Sequence, residues 1–302
     1  MMKLFPVCLT IVMLPFAASA EKAQLIRHTV MADNHPVALW EKSAVDATEA
    51  ILLVHGRTWS ALPDFDLQVE GEDLSLMDGL VENGYAVFAS DMRGYGETPR
   101  DKTGWLTPNR AADDVAIIAS WIANRKAWRI KPHLFGWSMG SGISQLSVQR
   151  HPNHFSSLTL FGYWRDIDIE LPADDPGLVP QKVPNTAKAA ASDFITPNSI
   201  SQKAIDAYVA AALKADPIRT DVKSRDQYNA LDESKIKIPT LVIAGQFDPI
   251  APAKYQTKLL NVLGTGHKQY VSVPNGDHAA FLEAPRDYFI HEMVAFLKGV
   301  TL

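Results

Sequence analysis

The chain has 302 residues, 47% of them hydrophobic and 21% charged, which excludes a disordered or fibrous polymer and allows a large buried core. Lys and Arg number 29 against 34 Asp and Glu, a formal net charge of -5 with no dense basic run, so the electrostatic footprint of a nucleic-acid binder is missing. A single cysteine excludes an intramolecular disulfide framework and any multi-cysteine metal or iron–sulfur centre.

Residues 1–20 read MMKLFPVCLTIVMLPFAASA. Lys3 precedes an apolar stretch from Leu4 to Phe16, and Ala18-Ser19-Ala20 fits the small-residue cleavage pattern of a secretory signal peptide. The stretch is short for a membrane span, and Pro6 and Pro15 weaken it as a helix. Cys8 lies inside it, well before the small-residue site, which speaks against a lipoprotein. The expectation is cleavage after Ala20. The product would be free of thiols and of a membrane anchor, in a periplasm or outside the cell.

Beyond the leader, β-rich runs recur at Leu25–Met31, Val37–Glu41, Ile51–His55, Tyr85–Ser90, His133–Trp137, Ser157–Tyr163, Thr240–Ala244 and Lys268–Val273. Several (ILLV, YAVFA, TLVIA) are continuous apolar runs, the pattern of strands buried on both faces of a parallel sheet. Helical stretches alternate with them at Glu72–Asn83, Pro108–Asn124, Ser138–Arg150 and Pro285–Lys298. The second is the clearest, with Thr107 as N-cap, Pro108 at its first position and Asp113 and Asp114 early in it. This alternation predicts an α/β doubly wound sheet. From Arg165 to Ser234 it breaks. That segment, rich in Ala, Asp, Pro and Ser, holds a helical stretch at Ser201–Ala215 and reads as a helical insertion over one edge of the sheet.

Gly136-Trp137-Ser138-Met139-Gly140 matches G-x-S-x-G between the apolar run HLFGW and a helical stretch. A serine on so sharp a strand-to-helix turn is strained and projects its hydroxyl above the sheet, over a helix N-terminus. A hydroxyl needs a base, and the base an orienter. His278, in NGDHAAF, follows the last strand, and Asp248 follows TLVIAGQF. The order Ser138, Asp248, His278 is that of triads on such sheets, with the groups at strand ends. Asp277 and Asp166 are rival orienters.

His55-Gly56-Arg57-Thr58 directly follows ILLV. A turn there aims the Arg57 main-chain N–H at the same point as that of Met139, a pair of donors for an oxyanion. The Arg57 side chain would hold a substrate carboxylate or pair with Asp64 or Asp66, and the expectation is the structural pair. His55 reads as a turn-stabilising residue, and Asp91-Met92-Arg93-Gly94-Tyr95-Gly96 as a shaped loop bracing the site. Trp59, Phe65, Trp137, Met139 and Trp164 suggest an apolar or aromatic acyl pocket. The chemistry requires no metal or organic cofactor, and the expected partner is a small-molecule ester or amide.

ILLVHG, ASDMRGYGETP, GWSMG, the strand leading to Asp248 and GDHAAF, in this order, resemble the α/β-hydrolase superfamily. Within it the chain is most similar to the capped group that includes esterases, monoglyceride lipase-like enzymes and serine aminopeptidases. The resemblance covers residues 21–164 and 235–302. It implies an eight-stranded, mostly parallel sheet, with residues 165–234 as a helical cap. Ser138 stands where epoxide hydrolases and haloalkane dehalogenases of this superfamily carry an aspartate. GWSMG is similar to the elbow of secreted polyester hydrolases, which lack such a cap. Proline iminopeptidases are similar in the cap and the D-x-R-G-x-G loop but not in the elbow. Two other readings stay open. One is an exported amidase or aminopeptidase whose acidic cap (Asp166, Asp168, Glu170, Asp174, Asp175) attracts an amine. The other is a ligand-binding protein of the same fold with little turnover.

Overall fold

A computed structural model describes residues 22–301, so the leader expected at residues 1–20 lies outside the described residues. Strands β1 (Ile26–Ala32) and β2 (His35–Ser43) form a hairpin closed by Asp33 and Asn34. Both turn residues have positive φ, 48° and 57°, which matches the right-handed twist of the flanking strands. β2 then runs antiparallel to β4 (Ala86–Ser90).

From there the sheet is parallel, through β3 (Ala50–Val54), β5 (His133–Trp137), β6 (Ser157–Phe161), β7 (Thr240–Gly245) and β8 (Lys268–Val273), in the order β1-β2-β4-β3-β5-β6-β7-β8. Every residue of β3 to β7 is buried, because helices cover both faces. Successive residues feed opposite cores: Leu52 and Val54 join one, Ile51 and Leu53 the other. Helices α3 (Pro108–Ala123) and α4 (Met139–Arg150) pack together on the first face, and α2 (Leu76–Glu82) and α8 (Arg286–Val300) on the second. No helix among the described residues is long and apolar enough to cross a membrane.

Local chemistry sets several boundaries. α2 starts at Leu76 rather than Glu72 because the Ser75 hydroxyl accepts from the Asp78 N–H at 2.9 Å and supplies the cap. Thr107 occupies the N-cap position of α3, but its side chain makes no capping bond. The short helices α1 (Ala61–Phe65) and α5 (Ala187–Ala191) and the longer α7 (Ala253–Val262) carry too little pattern to stand out in the sequence.

The 165–234 segment is helical chiefly in its second half, where α6 (Gln202–Ala215) is capped by Ser201. Residues 165–186 contain no helix. They are tied down instead, with Asn229 bonding both the N–H and C=O of Leu171, and Asp221 the N–H groups of Gln181 and Lys182. The expected position over a sheet edge is also corrected. The segment lies across the carboxyl ends of the strands: Asp216 accepts from the N–H groups of Ser60 and Gly96, in the loops after β3 and β4. Thr196 donates to Asp277, in the loop after β8. The insertion therefore roofs the place where strand-end side chains meet.

Candidate active site

Ser138 sits between β5 and α4 with φ 52° and ψ -120°, a left-handed conformation that a non-glycine residue holds only under constraint. The constraint is tight packing from below. A Cβ at Gly140 would lie 2.3 Å from the Val54 carbonyl oxygen and 2.4 Å from that of His55, so the elbow presses directly on the end of β3. Gly56 faces Ser138 itself, with 3.1 Å between a Cβ there and the serine Cβ. The Ser138 N–H donates to the Phe161 carbonyl at 2.9 Å, locking the turn to β6.

His278 Nδ1 lies 2.7 Å from Asp248 Oδ2, and the Asp248 side chain is fully buried. The other carboxylate oxygen accepts from the N–H groups of Ile250 and Ala251 at 2.8 and 3.0 Å, so Asp248 is fixed before it orients anything. With Nδ1–H given to Asp248, Nε2 is the nitrogen left to accept a proton. The Trp137 indole N–H donates to the His278 carbonyl at 2.7 Å, coupling the residue before the serine to the histidine loop. No hydrogen bond joins Ser138 Oγ to His278 in this arrangement; such contacts tighten when substrate engages. Neither rival orienter reaches the ring. Asp277 accepts from the N–H groups of Thr196 and Ala279, and Asp166 pairs with Lys258.

The main-chain N–H groups of Arg57 and Met139 donate to no group among the described residues, and the contact of Gly140 with β3 brings their two turns together. His55 is buried, which pushes its pKa down to about 4 and keeps the ring neutral. Its Nδ1–H donates to the Gly56 carbonyl and its Nε2 accepts from the Met92 N–H, so it pins the turn rather than serving as a second base. In the bracing loop, Asp91 accepts from Trp40, Ala61 and Glu97, while Arg93 grips both oxygens of Asp114.

Other expected contacts differ. Arg57 is exposed and pairs with neither Asp64 nor Asp66: Tyr208 donates to Asp64, and Lys42 holds Asp66. Phe65 and Trp137 are 0% and 2% exposed and pack on Phe281 beneath the elbow, so they support the site rather than wall a pocket. Trp59 is 1% exposed in the same core, while Trp164 is half-buried against Tyr228. Four of the cap acids meant to attract an amine are committed locally. Lys258 holds Asp166 and Asp168, and Asp174 and Asp175 accept from the N–H groups of Ser224 and Gly177.

Two groupings escape a sequence reading. Tyr208 of α6 lies 2.9 Å from Asp64 and 3.2 Å from Asp193, clipping the cap to α1. Burial raises the Asp64 carboxyl well above the usual range and Asp193 to about 6. Glu283, beside Asp277, accepts from Ser199 of the cap, and burial pushes its carboxyl up to about 7. The Tyr208–Asp64 and Ser199–Glu283 bonds join residues 144 and 84 positions apart and have no local signature.

The model of the family described as serine aminopeptidase, S33, matches residues 46–285. The AB hydrolase superfamily protein YisY of Bacillus subtilis (strain 168) is 25% identical over 222 residues, 68% of this chain and 80% of YisY. Among solved structures, the serine hydrolase CCSP0084 of Cycloclasticus zankles aligns with a TM-score of 0.67 and 16% identity, over 91% of this chain and 99% of that one. A thermophilic esterase of Thermogutta terrifontis aligns with a TM-score of 0.61 and 20% identity, over 93% and 100%. Both have the same fold.

Proposed function

The chain belongs to the serine aminopeptidase, S33, family of α/β hydrolases, and from that premise we propose that it is an exported enzyme cleaving carboxylic esters through an acyl-enzyme on Ser138. The observation that carries this reading is His278, bound through Nδ1 to the buried Asp248 at 2.7 Å and joined through its carbonyl to Trp137, the residue before a serine held at φ 52°.

As Ser138 Oγ attacks the ester carbonyl carbon, His278 Nε2 takes its proton. The tetrahedral oxyanion receives the N–H groups of Arg57 and Met139, each donor worth about 3–4 kcal/mol of barrier. Asp248 holds the ring in its tautomer and faces the imidazolium that forms. His278 then passes the proton to the departing alkoxide. Water, deprotonated by the same nitrogen, attacks the acyl-enzyme, and its collapse releases the acid and returns the proton to Ser138. Esters are favoured over amides because an alkoxide leaves more readily than an amine. The cap acids Asp166 and Asp168, bound to Lys258, are not free to capture one. The Thermogutta terrifontis neighbour is itself an esterase.

The test is a fluorophosphonate probe with a panel of p-nitrophenyl esters and aminoacyl anilides, applied beside Ser138→Ala. Labelling and ester turnover that vanish in the variant support the reading. A preference for anilides replaces it with an aminopeptidase, and no labelling of folded protein replaces it with a binding protein. Export is tested by mass spectrometry of protein recovered outside the cytoplasm, where the expected N-terminus is Glu21. An intact Met1 would overturn that part.

A further inference from the structure

One turn of the cap closes directly on the loop that carries His278. The Ser199 N–H donates to the Thr196 carbonyl at 3.2 Å, which folds residues 196–199 into a single turn. Three hydrogen bonds cross from this turn to residues 277–284. The Thr196 N–H donates to Asp277 Oδ2, and the Ser199 hydroxyl to Glu283 Oε1 at 2.7 Å. The Ala284 N–H returns to the Ser199 carbonyl at 2.7 Å. Asp277 and Glu283 thus grip the two ends of the same four residues, and His278 lies between them in the chain.

The two carboxyls are not equivalent. Both are buried, Asp277 at 0% and Glu283 at 2% exposed. Each oxygen of Asp277 accepts a main-chain N–H, from Thr196 and Ala279, so its charge is stabilised where it stands. Glu283 receives one donor, and its Oε2 is buried with no partner among the described residues. No cation compensates it. Arg286, three residues on, gives Nη1 to Asp287 and Nη2 to the Ser75 carbonyl, with its guanidinium against Gly79 of α2. The remaining ionisable neighbours are His278 on the same loop, Asp193 of the cap near Asp277, and Glu72 and Asp73 across the cleft that Glu283 helps to line. Two carboxyls in one dry pocket do not both ionise readily, and the one with fewer donors keeps the proton. In accord with this, burial and Asp277 push the Glu283 carboxyl up to about 7.

We propose that Glu283 is a positioning residue and a proton-operated latch. As the neutral acid it fastens the 196–199 turn of the cap to the His278 loop. When it gives its proton to solvent, a second negative charge beside Asp277 has neither donor nor cation, and the turn is released. The latch is at full strength below about pH 4.5 and weakens as the pH rises through 7.

The experiment follows amide hydrogen exchange of peptides covering residues 194–200 in the intact protein, at about pH 5.5 and pH 8. It compares the wild type with Glu283→Gln, a neutral isostere that still accepts from Ser199, and thermal melting checks its fold. The ratio of wild-type to variant exchange at one pH cancels the intrinsic pH dependence of exchange. That ratio should rise on the order of 30-fold between the two values. An unchanged ratio overturns the latch. If the glutamine variant does not fold, Ser199→Ala, which cuts the same bond from the cap side, takes its place. Its exchange should match the wild type at the higher pH and exceed it at the lower, and equal exchange at both overturns the latch. A kinetic arm rests on the ester-hydrolase reading. With 4-nitrophenyl butyrate, the kcat of the wild type relative to Glu283→Gln should fall severalfold over the same interval while KM changes little, because the latch holds the base rather than the substrate. Parallel pH profiles overturn the positioning role. If the ester is not cleaved at all, the hydrolase reading falls, and the exchange measurement still decides the latch.

Discussion

Gly162 lies directly against the imidazole of His278: a Cβ there would sit 2.9 Å from Cε1 and 3.1 Å from Nδ1, at a residue whose own φ is +60°. Gly162→Ala should therefore push the ring off its line to Asp248 while leaving the sheet intact. A displacement of about an ångström costs roughly 100-fold in rate, and the left-handed backbone adds about 1–3 kcal/mol of strain. Steady-state kcat and a denaturant titration check the two effects separately.

Ser138 carries strain of the same kind. Ser138→Ala and Ser138→Gly should both lose turnover and probe labelling. Ser138→Gly should also be the more stable of the two by about 1 kcal/mol, because glycine accepts the left-handed turn without strain. Equal denaturation midpoints for the two variants would show that the elbow is not strained.

Asp248→Asn keeps the shape of the side chain but presents the Nδ1 site with the wrong hydrogen-bonding pattern. A fall in kcat of about 10⁴ is expected. Asp277→Asn, next to the same histidine but bound to the N–H groups of Thr196 and Ala279, should cost far less. Parallel kinetics of the two variants discriminate the orienter from its neighbour.

Glu283 gives a pH dependence with a defined sign. Burial, reinforced by Asp277, raises its carboxyl from 4.5 to about 7. Between those values the folded state holds a proton that the unfolded chain has released. The stability this lends is full below about 4.5 and is lost as the pH rises through 7. Glu283→Gln, which stays neutral and can still accept from Ser199, should lose less melting temperature than the wild type between about pH 5 and pH 8. Melting curves across that range are the check.

Lys42 is buried, with Nζ 2.6 Å from both Asp66 Oδ1 and Asp78 Oδ1 and 5% of its side chain exposed. Lys42→Met removes the buried cation that Asp66 and Asp78 share, leaving them Ser75, Gln68 and the exposed Lys22, and should cost about 3 kcal/mol. Adding Asp66→Asn and Asp78→Asn should return much of it. Urea unfolding of the single and triple variants measures both numbers.

The eight strands were legible because each is a short run rich in apolar or β-branched residues between turn residues, and the central ones repeat only a strand's length of buried side chains. The pairing of Asp248 with His278 was legible for a related reason: each follows a strand, so chain order alone brings them to the same end of the sheet. The start of α2 was not, because Ser75 competes with earlier polar residues and only the bond it makes selects it.

What the sequence by itself determined is the layered α/β hydrolase sheet and the meeting of Asp248 with His278 at the strand ends, since both follow from periodicity and from where strands end. Only the tertiary structure decided that Arg57 pairs with neither Asp64 nor Asp66 while Lys42 takes Asp66. It alone decided that the 165–234 segment roofs the strand ends through Tyr208 and Asp216. Apolar pattern is a property of neighbours along the chain. The partner of a charge or a hydroxyl is set by whichever distant segment packing brings within about 3 Å.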